Sequence, residues 1–176
     1  MPGSKRTFPC LTLLSALLLL LALGGCAAKQ ESAPEAAPVV ATDDEARLRE
    51  ARLREEQARR EAELRQKFEN ADIHFDFDRY DLRQDARGIL NEKATFLAER
   101  TQAGVIIEGH CDERGSSAYN LALGEKRAKA AQAYLEAMGV AGQRLEAVSY
   151  GKERPLVMGN TEEAYAANRR AHFVVK

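Results

Sequence analysis

Apolar and polar residues alternate from Ile73 to Asp78, with Ile73, Phe75 and Phe77 on one side and His74, Asp76 and Asp78 on the other. A period of two predicts a half-buried strand. The period then lengthens. Leu82, Ala86, Ile89, Leu90 and Leu97 mark one face of a helix that Asp81 can cap, with Gln84 three residues on. Val105 to Ile107 are uniformly apolar, which predicts a second, buried strand. Ser116 or Ser117 can cap the next helix, in which Leu121, Ala128, Ala131, Leu135 and Met138 recur at steps of three, four and seven. Gly139 is placed to end it. Leu145–Ser149 and Ala171–Val175 predict two more strands, separated by a Gly-Pro loop and the short stretch EEAYAANRR. Strand, helix, strand, helix, strand, strand is an α/β order, a single small mixed sheet with helices packed on one face.

Upstream, the pattern loses its apolar face. Residues 47–69, RLREARLREEQARREAELRQKFE, are strong helix formers without Gly or Pro. Glu50 with Arg54, Glu55 with Arg59 and Glu61 with Arg65 are acid-first pairs at the favourable spacing of four. Leu53, Leu64 and Phe68 sustain no heptad, so the stretch reads as a solvated stalk of roughly 35 Å rather than a dimerising coil. Residues 27–46 are rich in Ala, Pro and Glu and lack aromatics, the composition of a flexible linker. From Ala71 onward about 106 residues remain, enough for one small domain.

Composition narrows the classes. The net charge of −1 over 176 residues leaves no basic surplus for nucleic acid. The first 25 residues join a basic start, Lys5 and Arg6, to the apolar block Leu11–Leu23, which is short for a bilayer span. Leu23-Gly24-Gly25-Cys26 follows, and small residues running directly into a cysteine resemble the lipobox of bacterial lipoproteins. That resemblance implies cleavage before Cys26 and acylation of it. Each buried methylene contributes about 0.8 kcal/mol, so several chains anchor firmly. Ala27, rather than Asp, after the cysteine resembles the pattern exported to the outer membrane. With Cys10 lost and Cys26 lipidated, Cys111 is left alone, able to form neither an internal disulfide nor a multi-cysteine zinc site.

Three groups of residues carry chemistry. His74, Asp76 and Asp78 share a strand face, which suits a metal or acid–base pair but also an ordinary solvated face. In His110-Cys111-Asp112, strand alternation puts His110 and Asp112 together and turns Cys111 away as a small core residue, against a Cys-His dyad. The third group joins Asp112 to a helical stripe, because Asn120, Leu123 and Arg127 fall at i, i+3 and i+7. Near a helix start, where free N–H groups favour anions, a carboxylate and a guanidinium would suit a zwitterion. The alternative is an internal Asp112–Arg127 salt bridge, and spacing does not separate the two.

GHCDERGSSAYNLALGEKRA, SYGKERP, AYAANRRA and FDFDRYDL, in that framework, resemble the peptidoglycan-associated lipoproteins (Pal) and the wider OmpA-like C-terminal domain family. The resemblance covers Ala71 to the end. It implies a βαβαββ-type OmpA-like domain over 70–176, behind a leader at 1–25, lipidated Cys26 with its linker to 46, and the stalk at 47–69. It implies noncovalent binding of the diaminopimelate peptide of peptidoglycan, without cofactor, metal or catalysis. Asp112 would engage the ligand's amino end and Arg127, fifteen positions on, its carboxylate. Phe77, Asp78 and Leu123 would line the pocket, with Arg114 and Asn120 in the matching loop and cap. It further implies an outer-membrane anchor with the domain in the periplasm, and a TolB-like propeller of the Tol system as protein partner. Two alternatives stand beside it: a wall hydrolase using Asp76, Asp78, Asp112 or Glu113 as paired carboxylates, and a stator-type or spacer wall anchor.

Overall fold

The computed structural model describes residues 42–176. The leader, Cys26 and most of the linker lie outside the described residues.

Helix α1 spans Asp43–Asn70, starting four residues before the predicted stalk. Thr42 caps it, its hydroxyl accepting from Glu45 N at 3.4 Å, and Asp43, Asp44 and Glu45 put negative charge on its positive end. Glu50 and Arg54 pair as expected, at 2.6 Å. The other two expected pairs are replaced. Arg59 turns to Glu63 at 3.7 Å, while Glu61 takes Arg100, at the C-terminal end of the next helix, at 2.6 and 2.9 Å. Arg65 donates to the Val175 carbonyl and lies 3.1 Å from Glu69. At Glu61 a long-range partner displaces the local one because the end of α1 is docked on the body, while Arg59 and Arg65 pair with the acid four residues on instead. Phe68 is buried beside Phe96, ring centroids 4.6 Å apart.

The body runs β1 (Ile73–His74), α2 (Gln84–Glu99), β2 (Val105–His110), α3 (Ser117–Ala137), β3 (Leu145–Gly151), α4 (Glu162–Asn168) and β4 (Arg170–Val175). The strand order is β1-β4-β2-β3, with β4 antiparallel to β1 and β2, and β2 parallel to β3. This is the predicted α/β class with one mixed sheet. Ile73, Val105, Ile107, Ala171 and Phe173 share a single core with Leu90 and Leu97 of α2 and Ala128, Ala131 and Leu135 of α3. The alternate positions Ile106, Glu108, His172 and Val174 are only half-buried, so the helical layer covers one face.

Three local expectations fail. Asp81 does not cap α2: the helix starts at Gln84 behind Arg83, and the Asp85 carboxylate accepts from Ala86 N at 2.9 Å instead. Leu121 and Met138 are exposed: at Leu121 it is the backbone that meets the sheet, its carbonyl accepting from the Ser149 hydroxyl of β3 at 2.7 Å, and Met138 lies just past the last residue of α3. The first strand is also shorter than its alternation. It stops at His74, Arg79 N bonds back to the Asp76 carbonyl at 3.2 Å, and Asp78 is left-handed at φ 57°. That turn separates His74 from Asp76 and Asp78 and brings Phe77 out of the core, 58% exposed.

Candidate functional site

Gly109 and Gly124 set the site. A Cβ on Gly109 would meet the Gly124 carbonyl oxygen at 1.9 Å, so β2 and α3 touch backbone to backbone. Just beyond, β2 changes register between Gly109 and His110 and ends, releasing the loop 111–116 over the start of α3. Ser116 caps α3, accepting from Tyr119 N at 3.2 Å.

A cavity of about 190 Å³ opens there, lined by Phe77 and Asp78 of the β1–α2 turn, Cys111, Asp112, Arg114 and Gly115 of the loop, and Tyr119, Asn120, Leu123 and Arg127 of α3. All seven residues singled out from the sequence, Phe77, Asp78, Asp112, Arg114, Asn120, Leu123 and Arg127, line it. Cys111, Gly115 and Tyr119 were not singled out for it. Tyr119 precedes Leu123 by one helical turn, a spacing that shares a face and was legible. Cys111 is a correction: strand alternation stops with β2, so its thiol does not turn away. It is buried on the same cavity and donates to the Asn120 carbonyl at 3.3 Å. Burial pushes that thiol's pKa up.

Asp112 and Arg127 do not pair. Arg127 is 1% exposed, and its guanidinium donates to the carbonyls of Arg79 (2.9 Å), His110 (2.8 Å) and Asp76 (3.2 Å). Its ordinary partner would be a carboxylate; here main-chain oxygens of the β1–α2 turn and the β2 end hold it as a fixed cation in the cavity floor. Asp112 faces other cations. Its Oδ2 is 2.7 Å from Arg114 Nη2 and 3.4 Å from Arg169 Nη1, and Oδ1 accepts from Arg114 N at 3.2 Å. Burial alone would raise the Asp112 carboxyl, but these bonds from Arg114 and Arg169 outweigh it and hold it below the usual range.

The rim is equally ordered. Arg114 lies over the ring of Phe77 at 4.1 Å and that of Tyr165 at 4.4 Å. Asn120 Nδ2 donates to the Arg114 carbonyl at 2.8 Å, and Lys152 Nζ to that of Gly115 at 2.8 Å, so both flanks of the loop are tied. Tyr119 donates its hydroxyl proton to Asp78 across the mouth. Among the described residues no cluster of three or more His, Cys, Asp or Glu could hold a metal, and no helix is long and apolar enough to cross a membrane.

The model of the OmpA family matches residues 74–169, which run from β1 to α4 and take in the loop and helix that line the cavity. The chain is 44% identical over 110 residues to the peptidoglycan-associated lipoprotein of Haemophilus influenzae, covering 62% of this chain and 71% of that one. The corresponding figures for the peptidoglycan-associated lipoprotein of Pseudomonas aeruginosa are 50% over 101 residues, 57% and 60%. The crystal structure of the peptidoglycan-associated lipoprotein from Burkholderia pseudomallei superimposes with a TM-score of 0.58 at 43% identity, over 60% of this chain and 89% of that one. The C-terminal domain of Helicobacter pylori MotB matches at TM-score 0.57 but 18% identity, which shows the fold alone. The chain belongs to the OmpA family and, within it, to the peptidoglycan-associated lipoproteins.

Proposed function

We propose that the chain is a lipid-anchored outer-membrane protein that grips peptidoglycan through its diaminopimelate peptide and ties membrane to wall, serving envelope integrity and cell division. One observation carries this reading: a carboxylate and a guanidinium line the same cavity without neutralising each other. The ligand's ammonium goes to Asp112, reinforced by Asp78 on the facing wall. Its carboxylate goes to the positive floor at Arg127, and Leu123 and the Phe77 ring flank the methylenes between. Charge-assisted bonds at both ends select a zwitterion of one length.

The same electrostatics suits Asp112 to binding an ammonium: a glycosidase's general acid needs its carboxyl pKa raised, whereas the bonds from Arg114 and Arg169 hold that of Asp112 below the usual range. The exposed Phe77 at the mouth also supports a protein partner of the TolB-like propeller kind, which would then compete with the wall.

Co-sedimentation with purified sacculi, with and without free diaminopimelate, tests the reading. The protein should pellet with sacculi, and free diaminopimelate should release it. Asp112→Asn should bind at least about tenfold more weakly. Pelleting indifferent to both the competitor and the substitution would defeat the proposal, as would release of wall fragments.

A further inference from the structure

Arg169 was not among the residues singled out from the sequence, and it does not line the cavity. It caps α4, leads into β4 and is 7% exposed. Its three nitrogens go to three different elements. Nε donates to the Phe75 carbonyl at 3.1 Å, just after β1; Nη2 is 2.8 Å from Glu162 Oε1 of α4; Nη1 is 3.4 Å from Asp112 Oδ2. Arg114 reaches the same two acids from the other side, Nη2 at 2.7 Å from Asp112 Oδ2 and Nη1 at 3.6 Å from Glu162 Oε2. Two carboxylates and two guanidiniums therefore close a ring.

The two arginines are not equivalent. Arg114 lines the cavity and its side chain is 35% exposed, so an incoming ammonium meets it first. If Arg114 lets go of Asp112 it keeps Glu162 and the rings of Phe77 and Tyr165. Arg169 does not line the cavity and is bolted to the Phe75 carbonyl just after β1, so it has no comparable freedom. A carboxylate that exchanged both partners at once would lose its orientation at the moment of binding; one held from behind exchanges only the front.

We infer that Arg169 is a positioning residue of the proposed wall-peptide site, holding the Asp112 carboxylate toward the cavity while Arg114 gives way to the ligand's ammonium. This rests on the reading of Asp112 as the ammonium acceptor. Asp112 has many charged or titratable neighbours: Arg114 and Glu113 of its own loop, Arg127 of α3, Glu162 and Tyr165 of α4, Arg169, and Asp78 across the cavity.

The test uses the full chain in detergent with Arg169→Gln, Arg169→Lys and Asp112→Asn, reading displacement from sacculi by free diaminopimelate and, by carbon NMR, titration of the Asp112 carboxyl. Arg169→Gln should weaken binding by about tenfold and move the Asp112 titration upward. Arg169→Lys, which keeps a cation behind Asp112, should recover part of both, and it carries the test should Arg169→Gln fail to fold. A purely structural arginine would lower the melting temperature and leave the Asp112 titration and the diaminopimelate affinity of the folded protein unchanged; that result overturns the inference. The two levels separate cleanly. Wild-type binding by Asp112→Asn sinks the reading of the site itself. Loss in Asp112→Asn with none in the Arg169 variants sinks only the role of Arg169.

Discussion

The Ser149 hydroxyl oxygen would lie 2.3 Å from a Cβ on Gly124, and the Gly109 carbonyl oxygen 2.8 Å from it, so Gly124 is where α3 rests on both β2 and β3. The helix cannot come this close with any side chain there. Arg127 is three residues on, bonded to the His110 carbonyl next to Gly109. The glycine contact therefore fixes the height of the site's cation above the sheet. Gly124→Ala is expected to push α3 outward and destabilise the domain by about 1–3 kcal/mol, the usual cost of overpacking. Wall binding should fall with it. Urea unfolding beside sacculus binding checks this, and stability equal to wild type would mean that the helix does not rest there.

Arg127 is expected to behave as a structural and a binding residue at once. Removing its guanidinium in Arg127→Met strips a donor from the carbonyls of Asp76, Arg79 and His110 together. The Asp76 carbonyl keeps Arg79 N and only the bond to His110 is fully buried, so with about 1–3 kcal/mol for a buried acceptor left unpaired, a total loss on the order of 2–4 kcal/mol of folding stability is expected. Arg127→Lys, a point charge without the fork, should retain the cation and lose most of the three-way geometry. Unfolding free energies of the two variants measure the difference; a fully stable Arg127→Met would show that the carbonyls find other donors.

Much of this was legible in the sequence, and what escaped has a physical reason. The stripe Asn120, Leu123, Arg127 and the fifteen positions from Asp112 to Arg127 are statements about side-chain direction on a helix, which spacing fixes. The partners of Arg127 are not of that kind. Its acceptors are main-chain carbonyls, which every residue type offers, and two come from a turn some fifty positions away. Arg169 was hidden differently: its neighbours Asn168 and Arg170 are equally polar, and only the fold shows which one reaches Asp112. Alternation mispredicted Phe77 and Cys111 because it was carried past the ends of β1 and β2, where a left-handed Asp78 and a register shift break it.

Lys93 is 2% exposed, its ammonium 4.2 Å from the centroid of Phe68 and 4.1 Å from that of Phe173, and it donates to the Phe68 carbonyl at the end of α1. Burial pulls its pKa from 10.5 down to about 7, against the pull of Asp72, Glu69 and Glu92. Since the unfolded chain then holds this proton more tightly than the folded one, stability should rise with pH between about 7 and 10.5, by up to a few kcal/mol, with no contribution from Lys93 to the slope below that window. Lys93→Met should flatten this rise. Chemical denaturation of both proteins across the window decides it, and parallel curves would show that Lys93 stays charged in the fold.

Two histidines on the half-buried sheet face should act in opposite senses at lower pH. His110 is 2% exposed and stacks on Tyr150, ring centroids 5.7 Å apart. Burial, then the nearby Arg170, His172 and Arg154, outweigh Asp72 and bring its pKa from 6.5 down to about 4; Glu108 lies 3.6 Å from its ring. The unfolded chain therefore takes up this proton first, and stability should fall as pH drops from 6.5 toward 4. His172 instead bonds Asp72 at 2.8 Å, and that bond raises its pKa above 6.5 despite partial burial. Its contribution is complete below 6.5 and is lost as pH rises through its higher folded value. His110→Phe should consequently gain on wild type as the solution is acidified, while His172→Gln should lose ground in acid and draw level with wild type as pH rises. Unfolding curves of the three proteins through this range distinguish the two groups, because a change of the same sign in both variants would mean that the shared Asp72–Arg170 pair, and not the imidazoles, governs the acid response.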